Sequence, residues 1–323
     1  MKKNYEPKEK FVLRMQELLS GEQDVADFFR VAKTQPKKAI RVNTLKIGVD
    51  ELKKKLVSKG WKVSQPFLDY PEIFIVDGLG PGDLGNAREH LLGYYYAQEI
   101  TSMMPIIALG VKPGDLFLDV CASPGSKTTQ AASLMKNQGT IVANDVSLGR
   151  IAILSANLQR CGVMNVLVTR HAGDALIDKL LKLGIRFDKI LIDAPCSGEG
   201  NIRCSPRTYL EWSEQLLQSL GRKQKRLVAK VFGLLKEGGE LVYSTCTHAP
   251  EENEEVVQHL LDTTDLEIVA VDLPLKTRLG LAAWRKHTFS PEMKKAVRIY
   301  HHDNDLEGFF LCKLRRRASG SKD

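Results

Sequence analysis

Two cysteines and an aspartate follow apolar stretches of this sequence, in positions that favour chemistry. Asp193 and Cys196 close the run Ile-Leu-Ile-Asp-Ala-Pro-Cys, and Cys246 closes the run Leu-Val-Tyr-Ser-Thr-Cys. Each run is typical of a buried strand that ends in a turn. A single buried cysteine is usually an inert core thiol. Two cysteines in turns, one of them after Asp-Ala-Pro, instead indicate a nucleophilic pair with an acid beside it.

A third strand end has the pattern of a ligand-binding turn. Residues 116–120 are apolar except for Asp119, the next five are small, and a helix is predicted from Lys127. A strand that turns at a glycine into a helix directs backbone N–H groups at a ligand. A phosphate loop is excluded because Ser126 separates Gly125 from Lys127 and position 120 is Val. The dinucleotide fingerprint needs three glycines, so a nucleoside-like cofactor without a pyrophosphate is predicted.

Two further aspartates are predicted at strand ends. Asp145 follows the next predicted strand, about 20 residues after the turn, where an acid can accept both ribose hydroxyls of a nucleoside. Asp174 follows the third strand and is placed to meet an adenine amino group. Either aspartate could instead cap the helix that follows it.

From residue 116 onwards, predicted strands and helices alternate. The strands are predicted at 116–120, 140–144, 166–169, 189–192, 239–244, 266–270 and 309–314. The helices are predicted near 127–136, 147–161, 175–183, 211–235 and 252–261. This alternation predicts an α/β fold: a parallel sheet with helices on both faces and a ligand site beyond the carboxyl ends of the strands.

The chain before residue 94 is organised differently. Residues 7–29 carry apolar side chains at helical spacing. A strand, a helix and two strands follow, at 39–44, 50–59, 62–64 and 73–76. This order predicts a small α+β module, and the three tyrosines from Tyr94 are predicted to open a helix towards Leu109. The predicted domains are 1–93, 94–315 and a basic tail at 316–323.

Ordered motifs over most of the chain resemble those of the Sun/Nop family of RNA cytosine-C5 methyltransferases, closest to its transfer-RNA branch. The matching residues are 41–46, 119–128, Asp145, Asp174, 193–197, 244–247 and 308–310. The first turn departs from the family's usual Ala-Ala-Pro-Gly-Gly-Lys and is Ala-Ser-Pro-Gly-Ser-Lys, with Ser126 as in the transfer-RNA branch. The resemblance implies a Rossmann-like sheet, mostly parallel with an antiparallel last strand. It also implies a smaller N-terminal RNA-recognition-like domain and S-adenosylmethionine as the cofactor.

The resemblance also implies which residues act. The residues implied to bind the cofactor are Cys121, Ala122, Ser123, Pro124, Gly125, Ser126, Lys127, Asp145, Asp174 and Asp193. Cytosine C5 becomes reactive when a thiolate adds to C6, and the C5 proton must leave after methyl transfer before the thiol is eliminated. By family position, Cys246 is the nucleophile and Cys196 acts in release. Asp193 is the expected proton donor near N3.

Other functions stay open on the residues alone. Enzymes that methylate exocyclic amines usually carry Asp/Asn-Pro-Pro-aromatic where this chain has Asp193-Ala-Pro-Cys196. DNA cytosine-C5 enzymes use a Pro-Cys thiol, which Cys196 permits, but they lack the Thr-Cys found at Cys246. The alternatives are a ribosomal RNA enzyme, a DNA or small-molecule methyltransferase of the same fold, and a non-catalytic RNA-binding assembly factor.

Positive charge is concentrated in one window. The net charge is +8, and residues 33–62 hold ten basic residues against two acidic ones. A field of this kind suits a polyphosphate, so the predicted partner is RNA, with transfer RNA expected from the resemblance. A solvated basic face is the alternative. A second phosphate track, with the same alternative, is predicted from Arg203, Arg207, Arg222, Lys223, Lys225, Arg226 and Lys230.

Composition argues against several classes. The first ten residues hold no signal-peptide core, and no apolar stretch is long enough to cross a bilayer. Six cysteines form no Cys-x-x-Cys pair. We therefore expect a cytoplasmic monomer with reduced thiols, no metal and no membrane contact.

Overall fold

The structure is a computed structural model that describes residues 5–80 and 82–317. Most of the predicted basic tail, residues 318–323, lies outside the described residues. Within the described part, no helix is both long enough and apolar enough to cross a membrane.

Two helices open the described chain. They are α1 (Glu9–Leu18) and α2 (Glu22–Ala32), so the helical region predicted at 7–29 is divided in two. The break is at Gly21, whose φ of 90° is in the left-handed region that favours glycine. The ring of Phe11 in α1 lies 5.3 Å from the rings of both Tyr209 and Trp212. The helices therefore pack on the larger domain.

The small module is a four-stranded antiparallel sheet with a helix against it. Its elements are β1 (Lys38–Val42), α3 (Val49–Ser58), β2 (Lys62–Ser64), β3 (Ile73–Asp77), α4 (Asp83–Asn86), α5 (Arg88–Leu91) and β4 (Tyr95–Ala97). The strand order is β2-β3-β1-β4. Leu52 and Leu56 of α3 are buried in one core with Ile40 and Phe74 of the sheet. The predicted order of strand, helix, strand and strand is confirmed.

The prediction that a helix begins at the three tyrosines is wrong. Tyr95–Ala97 is strand β4, in which Tyr95 lies opposite Val42 of β1. Helix α6 (Ile100–Leu109) begins only after Glu99, whose side chain accepts a hydrogen bond from the N–H of Thr101 at 2.6 Å. Aromatic side chains suit a packed, pleated surface, which explains the strand. The small sheet thus continues past residue 93.

The larger domain alternates strands and helices as predicted. Its elements are β5 (Leu116–Asp119), α7 (Ser126–Leu134), β6 (Thr140–Asp145), α8 (Leu148–Cys161), β7 (Val166–Arg170), α9 (Gly173–Lys182), β8 (Phe187–Asp193), α10 (Thr208–Glu211), α11 (Glu214–Val228), β9 (Leu235–Thr245), α12 (Glu254–Thr263) and β10 (Leu266–Val269). Strands β5 to β9 pair in parallel in the order β9-β8-β5-β6-β7. The single helix predicted at 211–235 is wrong, because α11 ends at Val228 and a 3-10 turn leads into β9.

The last part of the chain adds antiparallel strands. Its elements are β11 (Arg278–Leu279), β12 (Ala283–Trp284), β13 (His287–Thr288), β14 (Val297–Ile299), α13 (His301–Asn304) and β15 (Phe309–Arg316). Strand β15 pairs antiparallel with β9, β10 and β14. The mostly parallel sheet with an antiparallel last strand is therefore confirmed. The short strands between 278 and 299 were not predicted because two or three residues show no readable alternation.

Helices cover both faces of the large sheet. In β5, Leu118 belongs to the core on one face and Phe117 to the core on the other, and Ile190 and Leu191 of β8 divide in the same way. Strands buried on both faces are apolar at every position, which is why their sequences form continuous apolar runs.

A buried arginine joins the small module to the larger domain. Arg41 of β1 donates to Oε1 of Gln98 at 2.6 Å, to the carbonyl oxygen of Ser126 at 2.9 Å and to Oγ1 of Thr129 at 2.9 Å. Burial lowers the pKa of Arg41 to about 10. The motif at 41–46 therefore anchors the module on the first turn of α7, and Arg41 is not available to RNA.

Arg41→Met is expected to lower the free energy of unfolding by about 1–3 kcal/mol, because it leaves the buried side-chain oxygen of Gln98 without its donor and removes the bonds to Ser126 and Thr129. Urea denaturation measures the change. Lys54→Met, at an exposed lysine of the same module, is the matched control and should change stability by less than about 0.5 kcal/mol. Equal stability of the two variants would contradict an anchoring role.

Candidate active site

Two thiols meet where β8 and β9 end. The strands are parallel neighbours with Asp193 opposite Ser244, so the loops after them lie side by side. Sγ of Cys196 lies 3.1 Å from Sγ of Cys246. The hydrogen bond with Cys246, together with burial, raises the pKa of Cys196 well above its ordinary value. The geometry allows either sulfur to donate, and the raised pKa of Cys196 is compatible with Cys246 as the attacking thiol.

An ion pair joins the aspartate of this site to the predicted cofactor turn. Nζ of Lys127 lies 2.7 Å from Oδ2 of Asp193 and donates to Oγ of Ser102 at 2.9 Å. The hydroxyl of Ser244 donates to Oδ1 of Asp193 at 2.7 Å. Lys127 was predicted as a cofactor residue, and its ammonium group is held here by Asp193.

A cavity of about 360 Å³ opens at the carboxyl edge of the sheet, and Pro195, the residue before Cys196, is part of its lining. Cys121, Asp145 and Asp174 line it, so the structure brings these three predicted cofactor residues together. Asp145 is buried, and its carboxylate accepts the N–H of Ser147 at 3.1 Å and lies 3.3 Å from the guanidinium of Arg150. Both the ligand role and the helix-capping role weighed for Asp145 are thus compatible with its geometry.

Asp174 is exposed at the start of α9, where its carboxylate accepts the N–H of Ala175 at 2.9 Å. The other turn residues face the protein with their polar groups. Ser123 exchanges two hydrogen bonds with Arg150, and the carbonyl of Pro124 accepts a bond from Asn157 at 2.9 Å. Any contact of these residues with a ligand therefore uses other atoms, such as backbone N–H groups.

Asp119 is a buried acid that the sequence did not single out as a site residue. Its Oδ2 accepts the hydroxyl of Thr128 at 2.7 Å, and its Oδ1 has no partner among the described residues. Burial raises the pKa of Asp119 to about 7. The position of Asp119 at the end of β5, directly before the turn, was the available signal. An orphan acceptor of this kind fits a site that is completed by a ligand donor.

Charged groups near the site are only partly free. Arg203 was predicted to lie on a phosphate track, but this is wrong: its side chain is buried and bonds Thr34, Asp305 and the carbonyl of Leu306. Among the described residues of the basic window at 33–62 and of the second predicted phosphate track, some exposed side chains have no hydrogen-bonded or ionic partner. They are Lys33, Lys38, Lys54, Lys62, Arg222, Lys223 and Arg226. Lys223 and Arg226 line the rim of the cavity.

One group of acids and a histidine has the spacing of a metal site within the described part of the chain. It consists of Asp24, His302 and Asp303. The guanidinium of Arg278 donates to both carboxylates at 2.6 to 2.8 Å. Both carboxylates of the cluster are therefore already paired with a cation of the protein.

Comparison with known proteins assigns the family. Residues 106–315 match 16S rRNA methyltransferase RsmB/F, and residues 8–100 match the N-terminal domain of 16S rRNA methyltransferase RsmF. The chain belongs to the RsmB/F methyltransferase family. This membership confirms the resemblance to Sun/Nop methyltransferases, together with their Rossmann-like fold and the family's cofactor, S-adenosylmethionine.

Members of the RsmB/F family and related structures cover nearly all of the chain. This chain is 40% identical over 316 residues to ribosomal RNA small subunit methyltransferase F of Vibrio cholerae. The match covers 96% of this chain and 64% of that protein. It is also 40% identical over 284 residues to tRNA (cytosine(49)-C(5))-methyltransferase of Pyrococcus abyssi, covering 86% of this chain and 88% of that enzyme. A methyltransferase homolog from Pyrococcus horikoshii has a TM-score of 0.83 at 34% identity, covering 96% and 95% of the two chains. The chain thus spans less than two thirds of the length of its Vibrio relative.

Asp145→Ala is expected to raise the dissociation constant for S-adenosylmethionine about ten- to a hundredfold, because the variant cannot form charge-assisted bonds to a ribose. Calorimetric titration measures the affinity. Asp178→Ala, on α9 but outside the cavity, is the matched control and should bind like the parent protein. Unchanged affinity in Asp145→Ala would remove this residue from the site.

Proposed function

We propose that the chain methylates cytosine C5 in RNA, with a methyl group from S-adenosylmethionine. The observation that carries the proposal is the pair of thiols 3.1 Å apart, in the loops that follow Asp193 and Ser244, with Pro195 before Cys196 lining the cavity. One group can attack C6 while the other serves the later loss of the C5 proton. A non-catalytic assembly factor would have no use for this pair, so the geometry favours an enzyme.

The cavity fits the cofactor. Asp145 offers a buried carboxylate to the ribose hydroxyls and Asp174 an acceptor to the adenine amino group, and both line the cavity. Gly125 has a φ of 102°, and a side chain there would meet Leu154, so only glycine lets the turn hold this shape. S-adenosylmethionine, when bound, supplies the methyl group that C5 accepts.

The chain's own residues prepare the cytosine. Cys246 attacks as a thiolate, and its electron pair forms the S–C6 bond while the C5=C6 pair shifts towards C4 and N3. We assign the proton that N3 then takes to the pair formed by Asp193 and Lys127, whose charged atoms are 2.7 Å apart. The electron density gained at C5 is what makes this carbon able to take a methyl group.

Release uses the second thiol. While Cys246 is bonded to C6 it is no longer a free thiol, so its hydrogen bond to Cys196, the largest cause of the raised pKa of Cys196, is lost, and burial is the main cause that persists. Cys196 can then lose its proton to solvent and accept the C5 proton. The electrons of the C5–H bond form the C5=C6 bond, the C6–S bond breaks, Cys246 leaves as a thiolate, and N3 returns its proton to Asp193 and Lys127.

The proposed substrate is RNA, and transfer RNA is the finer proposal. Support for transfer RNA comes from Ser126 in the turn and from the relative of Pyrococcus abyssi that is named for this activity. Ribosomal RNA is the second candidate, because both family matches and the Vibrio cholerae relative are named for it. Bisulfite sequencing of RNA from a deletion strain distinguishes them by the RNA in which a methylated cytosine disappears. A cytoplasmic location and a monomeric state stay predictions.

Replacing each of the two cysteines by alanine is expected to block a different step of the reaction. Cys246→Ala should abolish methylation and form no covalent adduct, because it removes the attacking group. Cys196→Ala should attack C6 and transfer the methyl group but accumulate a protein–RNA adduct that survives denaturing electrophoresis. Ser197→Ala next to Cys196 is the control for a local change and should not trap an adduct. The reverse pattern for the two cysteines would exchange their roles, and activity in both variants would defeat the thiol mechanism.

RNA binding is expected to depend on exposed lysines of the small module. Changing Lys38, Lys54 and Lys62 to Glu should raise the dissociation constant for RNA. It should also make the slope of log affinity against log salt less steep, by roughly 0.7 to 0.9 for each phosphate that the protein no longer neutralises. Filter binding at several salt concentrations measures both. The same reversal at Lys179, Lys182 and Lys294, which lie outside the window, is matched in net charge and should have a smaller effect. Equal effects of the two sets would make the window a solvated face.

A further inference from the structure

Both peptide groups of Cys196 are held by one pair of buried side chains. Nε2 of Gln224 donates to the carbonyl oxygen of Pro195 at 2.9 Å, and Oε2 of Glu252 accepts the backbone N–H of Ser197 at 3.2 Å. The same nitrogen of Gln224 donates to the same oxygen of Glu252 at 2.8 Å. Gln224 is 2% exposed and Glu252 is 0% exposed, so water does not compete for these bonds.

The pair is fixed by the elements that carry it. Gln224 lies on α11, which approaches the chain before α12 so closely that a side chain at Gly221 would lie 2.4 Å from the carbonyl oxygen of Glu251. The hydroxyl of Tyr243 in β9 donates to the carbonyl oxygen of Glu252 at 2.6 Å. The position of the Cys196 loop is therefore set from α11 and from the strand that leads to Cys246.

Asn253, the residue after Glu252, holds the loop that contains Cys246. Oδ1 of Asn253 accepts the hydroxyl of Thr245 at 2.6 Å, and its Nδ2 donates to the carbonyl oxygen of Thr247 at 3.0 Å. Glu252 and Asn253 thus hold the two loops separately although they are adjacent in sequence. A change at Glu252 acts directly on the Cys196 loop alone.

We propose that Glu252 and Gln224 are positioning residues for Cys196 in the release step, an inference that rests on the function proposed above. Oε2 of Glu252 accepts from the N–H of Ser197 and from Gln224, so Gln224 presents its nitrogen to this oxygen. That orientation is the one that also reaches the carbonyl of Pro195. Neither residue takes part in the attack of Cys246, so their removal slows abstraction of the C5 proton more than methyl transfer.

The test compares methyl transfer and adduct release in a single turnover, with the RNA that the parent protein methylates. Glu252→Met removes the acceptor and should slow release of the adduct roughly ten- to a hundredfold, with methyl transfer and cofactor affinity within about threefold of the parent. Glu252→Gln can place its amide oxygen at the position of Oε2 and should restore most of the release rate. Glu255→Gln, at an acid that pairs with Lys225 instead, is the matched control and should release normally.

Gln224→Met provides a second variant should Glu252→Met fail to fold. It removes the donor and should also slow release, and its cofactor affinity is measured in parallel because Gln224 lines the cavity. In a Cys196→Ala background, Glu252→Met should slow release no further, because both changes act through one group. An equal loss of methyl transfer and release would indicate a merely structural role and overturn the inference. Normal release in Gln224→Met or Glu252→Met, while Cys196→Ala still traps an adduct, would overturn the inference alone. No trapped adduct in Cys196→Ala would instead count against the proposed function.

Discussion

The parallel register of β8 and β9 places Asp193 opposite Ser244, and the thiol site depends on it. Neighbouring parallel strands end at one edge, so two loops that are far apart in sequence emerge side by side. A shift by one residue would exchange the side chains that β8 presents to the two cores, so close packing on both faces of the sheet holds the register. The separation of the two sulfur atoms is thus decided by hydrophobic packing on both faces of the sheet.

Low polarity around this edge gives the few polar groups their properties. Burial raises the pKa of Asp119 and of Glu252 to about 7 in each case, whereas Asp193 has the ammonium of Lys127 and the hydroxyl of Ser244 to support it. The carboxyl groups of this site therefore lie in different environments, and such differences suit them to different roles. The anchor at Arg41 extends the same rigid unit to the small module, since Arg41 bonds the first turn of the helix that carries Lys127.

The sequence predicted the parts of this protein that are governed by local pattern. Continuous apolar runs located β5, β8 and β9, and the small residues from Cys121 located the turn, because both signals lie within a few neighbouring residues. Tyr95 and Tyr96 were misassigned because their strand depends on pairing with β1, which no local pattern records. Arg203 was assigned to the surface because its charge, and not its buried partners, is visible in a sequence.

The hydrogen bond between Gln224 and Glu252 is a second contact that a sequence does not reveal. The two residues lie on different elements, and nothing in their local sequence indicates that they meet. Their connection to Cys196 depends on how closely α11 approaches Glu251 at Gly221. Contacts of this kind are set by tertiary packing, so they could be read only from the folded chain.

The antiparallel strand β15 also determines the order in which the site can be assembled during synthesis. Strands β10 and β14 join the large sheet by pairing with β15, and β9 has an open edge until β15 arrives. The residue that leads into β15 closes the thiol loops as well: the N–H of Gly308 bonds the carbonyl of Gly200, whose N–H bonds the carbonyl of Cys246, at 2.8 and 2.9 Å. A growing chain on the ribosome therefore carries both thiols before the bond that Gly308 adds to their loops can form. This last contact of the thiol loops forms only when translation has reached the strand that is made last among the described elements.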